Sequence, residues 1–263
     1  MRMRCGSTAA PVSRLLGDDD PHPVEWVNRD SDAGVLLLCE HAGKQLPQSH
    51  ALLGLSNAEL DSHIGWDIGA ARLARQLAGI LQAPLILQRY SRLLIDCNRP
   101  PGSKSSIPQI SDGITIPGNR MVCNDEIKNR QTEVFEPLDL AIRQALERFP
   151  RKAVFSIHSF TPKMNDQPQR PWHAGFLSRT DHSTGNILMA SIHSHNPELT
   201  LAMNQPYAID DEGDWFIPRY AETRNLSHCL IEIRNDQLLD NNGIDTWASL
   251  LASAIESVME KLA

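Results

Sequence analysis

Apolar positions along the chain fall into short, nearly continuous runs separated by longer segments with a helical repeat. Residues 34–39, 84–88, 93–97, 153–157, 173–177 and 229–233 are such runs, and they read as strands buried on both faces. Residues 199–203 add a further short strand. Between residues 66 and 81 the apolar positions Ala70, Leu73, Ala74, Leu77 and Leu81 follow the period of a helix. The same holds for Ile127, Val134, Leu138, Ile142 and Leu146 within 125–149, where Pro137 is expected to kink or divide the helix. Helices are also predicted over 184–193, 215–224 and 246–262, and Ser56 with Glu59 has the spacing of a capping box that opens a short helix. Strands alternating with helices predict an α/β fold, with a mixed, largely parallel sheet flanked by helices. No repeat or linker divides the chain, so a single domain is expected over residues 23–263. Residues 1–22, polar and carrying Asp18, Asp19 and Asp20 in a row, are expected to form a flexible tail.

Two stretches have no period. Residues 100–119 are rich in Pro, Gly and Ser, and at about twenty residues they exceed ordinary connections. Residues 161–171 are similar. Segments of this kind are commonly binding loops or lids.

Composition narrows the class. The 263 residues are 41% hydrophobic and 22% charged with a formal net charge of −7, which disfavours nucleic acid as a partner. No run of roughly 18 apolar residues exists to span a membrane, and the N-terminus lacks a signal-peptide core, so a cytoplasmic protein is expected. Five cysteines without a CxxC pair predict reduced thiols and argue against a thiolate zinc site.

The candidate chemistry lies at strand ends. The run 153–157 passes into His158, the run 34–39 passes into Glu40-His41, and Glu232 sits inside the apolar run 229–233. One such residue is ordinarily a hydrogen-bonded part of the core, whereas three in one chain predict a site at the carboxyl edge of the sheet. A hydrolytic metal centre needs about three His or carboxylate ligands and a carboxylate base that is not a ligand. His41 and His158 are the first candidates, and Glu232 is the candidate base. His63 or Asp67 could complete the set, because residues four apart on a continuous helix share a face; a plain His–Asp hydrogen bond has the same spacing. Arg92, Asn98 and Arg99, or Arg234 in their place, could anchor a substrate carboxylate, with salt bridges to Asp96 or Asp236 as the competing use. Ser159 is a candidate substrate donor. The acidic stretch 210–214 lacks calcium-loop spacing and reads as a solvated turn. Phosphate-binding glycine loops, a GxSxG elbow and an HExxH helix are all absent from the sequence.

The blocks CEHAGKQLP, LDSHIGWDIGA, YSRLLIDCNRP, SIHSFTP and IEIRND, in this order between about residues 33 and 238, resemble the N-formylglutamate amidohydrolase family. The resemblance implies a phosphorylase/hydrolase-like, zinc carboxypeptidase-like fold. It implies one divalent metal, with zinc first among the candidates, and a small acidic N-acyl amino acid as substrate. SIHSF is similar to the carboxypeptidase strand that carries a zinc histidine, IEIR to the strand carrying the general base, and Asn98-Arg99 to the pair that holds a terminal carboxylate. Two departures stand out. Lys44 occupies the place where carboxypeptidases have a glutamate ligand, so DSHIGWD, with Asp61, His63 and Asp67, is the expected source of the third ligand. Pro137-Leu138-Asp139 replaces the Pro-Tyr-His expected of relatives, which would alter substrate contacts.

Overall fold

A computed structural model describes residues 14–263. Its first strand, β1 (Val24–Val27), was not foreseen, because Glu25 interrupts a short stretch whose two faces have different fates. The elements then run β2 (Val35–Cys39), α1 (Asn57–Asp61), α2 (Ala70–Leu81) and β3 (Leu85–Gln88). A small hairpin of β4 (Ile110–Ser111) and β5 (Ile114–Thr115) follows, then α3 (Asn124–Arg130) and α4 (Glu136–Arg148). The chain closes with β6 (Ala153–Phe160), β7 (Ala174–Leu177), α5 (His182–His195), β8 (Leu201–Met203), β9 (Ser227–Arg234) and α6 (Asn241–Lys261).

Seven strands form one sheet in the order β1-β3-β2-β6-β9-β7-β8. The central block β3, β2, β6 and β9 is parallel; β1 pairs antiparallel with β3, and β7 antiparallel with β9. The mixed α/β architecture expected from the alternating pattern is therefore the one observed. Period-2 geometry sends alternate side chains to opposite faces. Leu37, Phe155 and Ile231 join α2 and α6 in one core cluster, while Leu38, Val154 and Leu230 join α4 in the other. Glu40, His158 and Glu232 carry the numbering parity of this second group, so the polar residues extend an apolar face at its carboxyl edge.

Several local expectations change. The capping box holds: Ser56 Oγ accepts from Glu59 N–H at 3.2 Å and Glu59 Oε2 accepts from Ser56 N–H at 2.7 Å. The helix it opens stops at Asp61, and α2 begins only at Ala70 after Gly69 in the left-handed region (φ 85°). His63 and Asp67 thus lie on an irregular segment, not on one helix face. Residues 93–97 form a turn, buried as apolar filling without strand partners; Asp96 N–H donates to Ser106 O at 2.7 Å. The 125–149 helix passes through a π-helical turn (Gln131–Phe135), and Pro137 sits in the first turn of α4, where a missing N–H is tolerated. The predicted helix over 215–224 is a π-turn (Ile217–Ala221) followed by a 3₁₀ turn.

The expected tail also shortens. Residues 1–13 lie outside the described residues, but Leu15 and Leu16 are buried, with their N–H groups on the Glu133 carboxylate at 2.8 and 3.1 Å. Cys39, Cys97 and Cys229 are buried thiols. No helix among the described residues is long and apolar enough to cross a membrane.

Candidate active site

Three neighbouring parallel strands deliver the central residues. β6 and β9 pair in register with His158 opposite Glu232, and β2 ends one residue before Glu40-His41. Asp67 arrives from the α1–α2 connection, pinned by its own N–H, which donates to His41 O at 3.0 Å. His41, Asp67 and His158 are all buried and each offers one ligand atom, the three atoms lying within 4.8 Å of one another. Two histidines on one zinc should bring their nitrogens within about 4 Å, so this arrangement needs little adjustment to hold a cation.

The donor chemistry fits a cation. Carboxylates only accept, so His41 Nε2, 2.7 Å from Asp96 Oδ1, must carry the proton. In the neutral imidazole that a cation requires, this leaves the lone pair on Nδ1, which is buried without a hydrogen-bond partner, 3.5 Å from Asp67 Oδ2. His158 meets Asp67 Oδ2 through Nδ1 at 2.8 Å and Glu40 Oε2 through Nε2 at 3.0 Å. A carboxylate behind each histidine is the arrangement that fixes tautomer and ring orientation in metal centres. Sequence reasoning did not assign this role to Asp96 or Glu40. The signal was adjacency: Glu40 precedes His41, and Asp96 lies between Arg92 and Asn98. Asp96→Asn should lower metal affinity about 10- to 100-fold without unfolding the protein, as measured by competition with a chromophoric chelator.

Electrostatics follow from burial and pairing. Burial alone would lower the pKa of His158, but the Glu40 and Asp67 carboxylates overcome it and hold the imidazole well above its ordinary value. Asp67 is opposed by burial yet held below the usual carboxylate range by the two histidines. The two carboxylates thus favour the protonated form of His158. Metal uptake should release that proton, and calorimetry in buffers of different ionisation enthalpy would report it.

Glu232 differs from the other acids. It is buried, its Oε2 has no hydrogen-bond partner, and its pKa is pushed up to about 7, chiefly by burial, with the Asp67 charge adding and His158 opposing. It lines a cleft of about 690 Å³ together with His41, His158, Arg92 and Arg99.

The remaining candidates separate. His63 reaches the cleft, but its Nε2 lies 3.0 Å from Asp112 Oδ2 of the β4–β5 hairpin, without hydrogen-bond alignment, and stands apart from the His41–Asp67–His158 group. Arg92 lines the cleft yet is held by Asp96 (Nη2 at 2.7 Å) and Asp67 (Nη1 at 3.4 Å), the salt-bridge use foreseen as its alternative. Asn98 is engaged at both amide atoms: Nδ2 donates to Asp214 at 3.0 Å and Oδ1 accepts from Trp215 N–H at 3.2 Å. Its amide positions the 210–216 turn, and the residue also lines the cleft, where the second Nδ2 hydrogen is not used by Asp214. Arg99 donates to Gly213 O and faces the cleft. Ser159 points to the opposite sheet face, where Oγ donates to Ile68 O at 2.8 Å, so it is no substrate donor. Arg234 is absorbed by Asp236 and by the carbonyls of residues 170–172, away from the cleft. Arg234→Ala should accordingly leave KM unchanged within about twofold in steady-state assays.

Asp210, Asp211 and Glu212 of the acidic turn are exposed, while Asp214 is half-buried and burial raises its pKa; Asp210 and Asp214 also line the cleft. Asp61 pairs with Lys44 outside the centre. Asp139, at the second departure, accepts from Trp215 Nε1 at 3.0 Å and from Tyr220 Oη. That position is structural here.

Similarity to known proteins agrees with this geometry. No curated protein sequence matches the chain. A solved gene product of Agrobacterium tumefaciens is 31% identical, with a TM-score of 0.88 over 95% of this chain and 100% of that one. An N-formylglutamate amidohydrolase from Ralstonia eutropha is 16% identical, with a TM-score of 0.64 over 92% of this chain and 98% of that one, and shares its fold. The N-formylglutamate amidohydrolase family model matches residues 33–239, a span that contains His41, Asp67, His158 and Glu232. The chain is a member of the N-formylglutamate amidohydrolase family, and it is a hydrolase acting on amide bonds.

Proposed function

We propose that the protein removes the acyl group from a small acidic N-acyl amino acid, N-formyl-L-glutamate before others, releasing formate and glutamate. The observation that carries this reading is the Glu232 carboxylate, its Oε2 buried without a hydrogen-bond partner, in register with His158 and beside the His41–Asp67–His158 group. Those three residues would hold one divalent cation, with zinc the first choice for a His/carboxylate set. When bound, the cation supplies a Lewis acid that polarises the acyl carbonyl and acidifies water.

The side chains supply the rest. Asp96 and Glu40 keep the histidines oriented. Glu232 takes a proton from water and returns it to the leaving amine; burial keeps its pKa near that task. Arg99 and Lys104, cations lining the cleft, bind the glutamate carboxylates. Arg92 neutralises Asp96 and Asp67 rather than substrate.

The reading is tested by assaying the metal-loaded protein against N-formyl-, N-acetyl- and N-succinyl-L-glutamate. Formate release should give the highest kcat/KM, and a flat profile without turnover would contradict it. Arg99→Gln and Lys104→Gln should each raise KM about tenfold for the glutamyl substrate with kcat retained, the expected result of losing an interaction that is equally strong in ground and transition states. A larger N-acyl or peptide substrate is the second reading, favoured by the cleft volume of about 690 Å³, within the range of drug-sized ligand sites.

A further inference from the structure

Tyr207 lines the same cleft as Glu232 and His158, on a connection that none of the strand-end reasoning reached. The residue as a whole is 41% exposed. Behind it lies Arg170. The guanidinium sits 4.9 Å from the Tyr207 ring centroid and 5.7 Å from that of Phe160, and Nη1 donates to Tyr207 Oη at 3.0 Å and to Thr161 O at 3.2 Å. An arginine can only donate, so the hydroxyl accepts this bond and its own proton remains for another acceptor. Glu232 and Arg92 line the same cleft as this hydroxyl.

The connection that presents Tyr207 is fixed to the sheet. Asn204, in the left-handed region with φ 52°, donates its N–H to Phe176 O at 3.0 Å, and its Oδ1 accepts from Ser178 N–H at 3.0 Å. Gln205 O approaches β7 so closely that a Cβ at Gly175 would lie 1.6 Å from it. Any side chain there would displace the segment leading to Tyr207. A residue held this firmly, with a stacked cation behind it and its hydroxyl proton unassigned, has the form of a preorganised donor.

We propose that Tyr207 donates its hydroxyl proton in a hydrogen bond to the scissile acyl oxygen of the substrate, with Arg170 as the positioning residue that aims it. No bond to Tyr207 forms or breaks; the contact strengthens as charge develops on that oxygen. The proposal rests on the amidohydrolase reading of the cleft and adds a residue to it.

The test uses the metal-loaded full chain and the N-acyl amino acid that the wild type hydrolyses fastest. Tyr207→Phe should lower kcat about 100-fold while KM stays within about threefold, the pattern for removing one donor to a developing oxyanion. Arg170→Met should lower kcat by less, and combined with Tyr207→Phe it should add little, because both act through one hydroxyl. A kcat within twofold of wild type in Tyr207→Phe would overturn the proposal, as would a loss confined to KM. Losses that multiply fully in the double variant would overturn the role of Arg170. Wild-type turnover with an unaffected Tyr207→Phe variant refutes the Tyr207 role alone, whereas a metal-loaded wild type inactive on every N-acyl amino acid refutes the reading beneath it.

Discussion

Glu232→Gln is expected to fold, to keep its metal and to lose kcat by on the order of 10³-fold, about 4 kcal/mol of transition-state stabilisation. The amide has nearly the volume of the carboxyl and meets no hydrogen-bonding partner that it would lose at Oε2, so stability should change little. What disappears is the group that accepts a proton. The pH profile gives an independent readout. Burial raises the Glu232 pKa to about 7, and the base works only when ionised, so kcat/KM should rise with pH and level off once the carboxyl is deprotonated. A bound cation favours the ionised form and moves this acid limb to or below pH 7. The limb should be missing from the residual activity of Glu232→Gln. Wild-type turnover in that variant would remove Glu232 from the mechanism.

The second large effect belongs to the ligand group. Asp67→Asn and His158→Ala should each abolish stoichiometric metal binding, and turnover with it, whereas His63→Ala should retain the metal. Asp67 is the more informative position, because its Oδ2 contacts both histidines and also accepts from Ser159 N–H at 3.2 Å. Removing its charge leaves His41 and His158 without the carboxylate between them. His158→Ala removes one of the proposed ligands and leaves Glu40 buried with Ser156 as its remaining partner. Metal analysis of the purified variants separates these cases. A His63→Ala protein that loses its metal while Asp67→Asn keeps it would reverse the assignment of the third ligand.

Much of this centre is legible in the sequence. His41, His158 and Glu232 stand out in sequence because each interrupts or ends a strand too apolar to bury a charge without purpose. Parallel pairing then brings strand ends to one edge, so the β2-β6-β9 neighbourhood follows from the alternation of strands and helices. Asp67 was named, but for the wrong reason. Its distance of four residues from His63 suggested a helix face, while Gly65 and Gly69 allow a tight irregular path that sends the two side chains to different partners. Period cannot reveal such a path, because it depends on close approach of backbone segments; a Cβ on Gly65 would lie 2.1 Å from Leu60 O.

Arginine partners were the least legible. Arg92, Arg99 and Arg234 look alike in sequence, each near a strand end with acids close by. The fold distinguishes them by what tertiary contact supplies: two buried carboxylates for Arg92, a loop carbonyl for Arg99, and Asp236 with three carbonyls just before β7 for Arg234. Residues 93–97 misled for a related reason. An apolar run signals burial, and burial can come from filling the space beneath a loop as well as from pairing in a sheet. The edge strand β1 escaped because two- to four-residue pairings carry too few alternating positions to register.

Removal and return of the metal tests the account most directly. Protein stripped by a chelator should hydrolyse no N-formyl-L-glutamate, and zinc added back should restore formate release in proportion to occupancy, saturating at one ion per chain. The same titration of His158→Ala should restore nothing. Full turnover by the stripped protein, or a zinc-loaded wild type that releases no formate, would contradict the account.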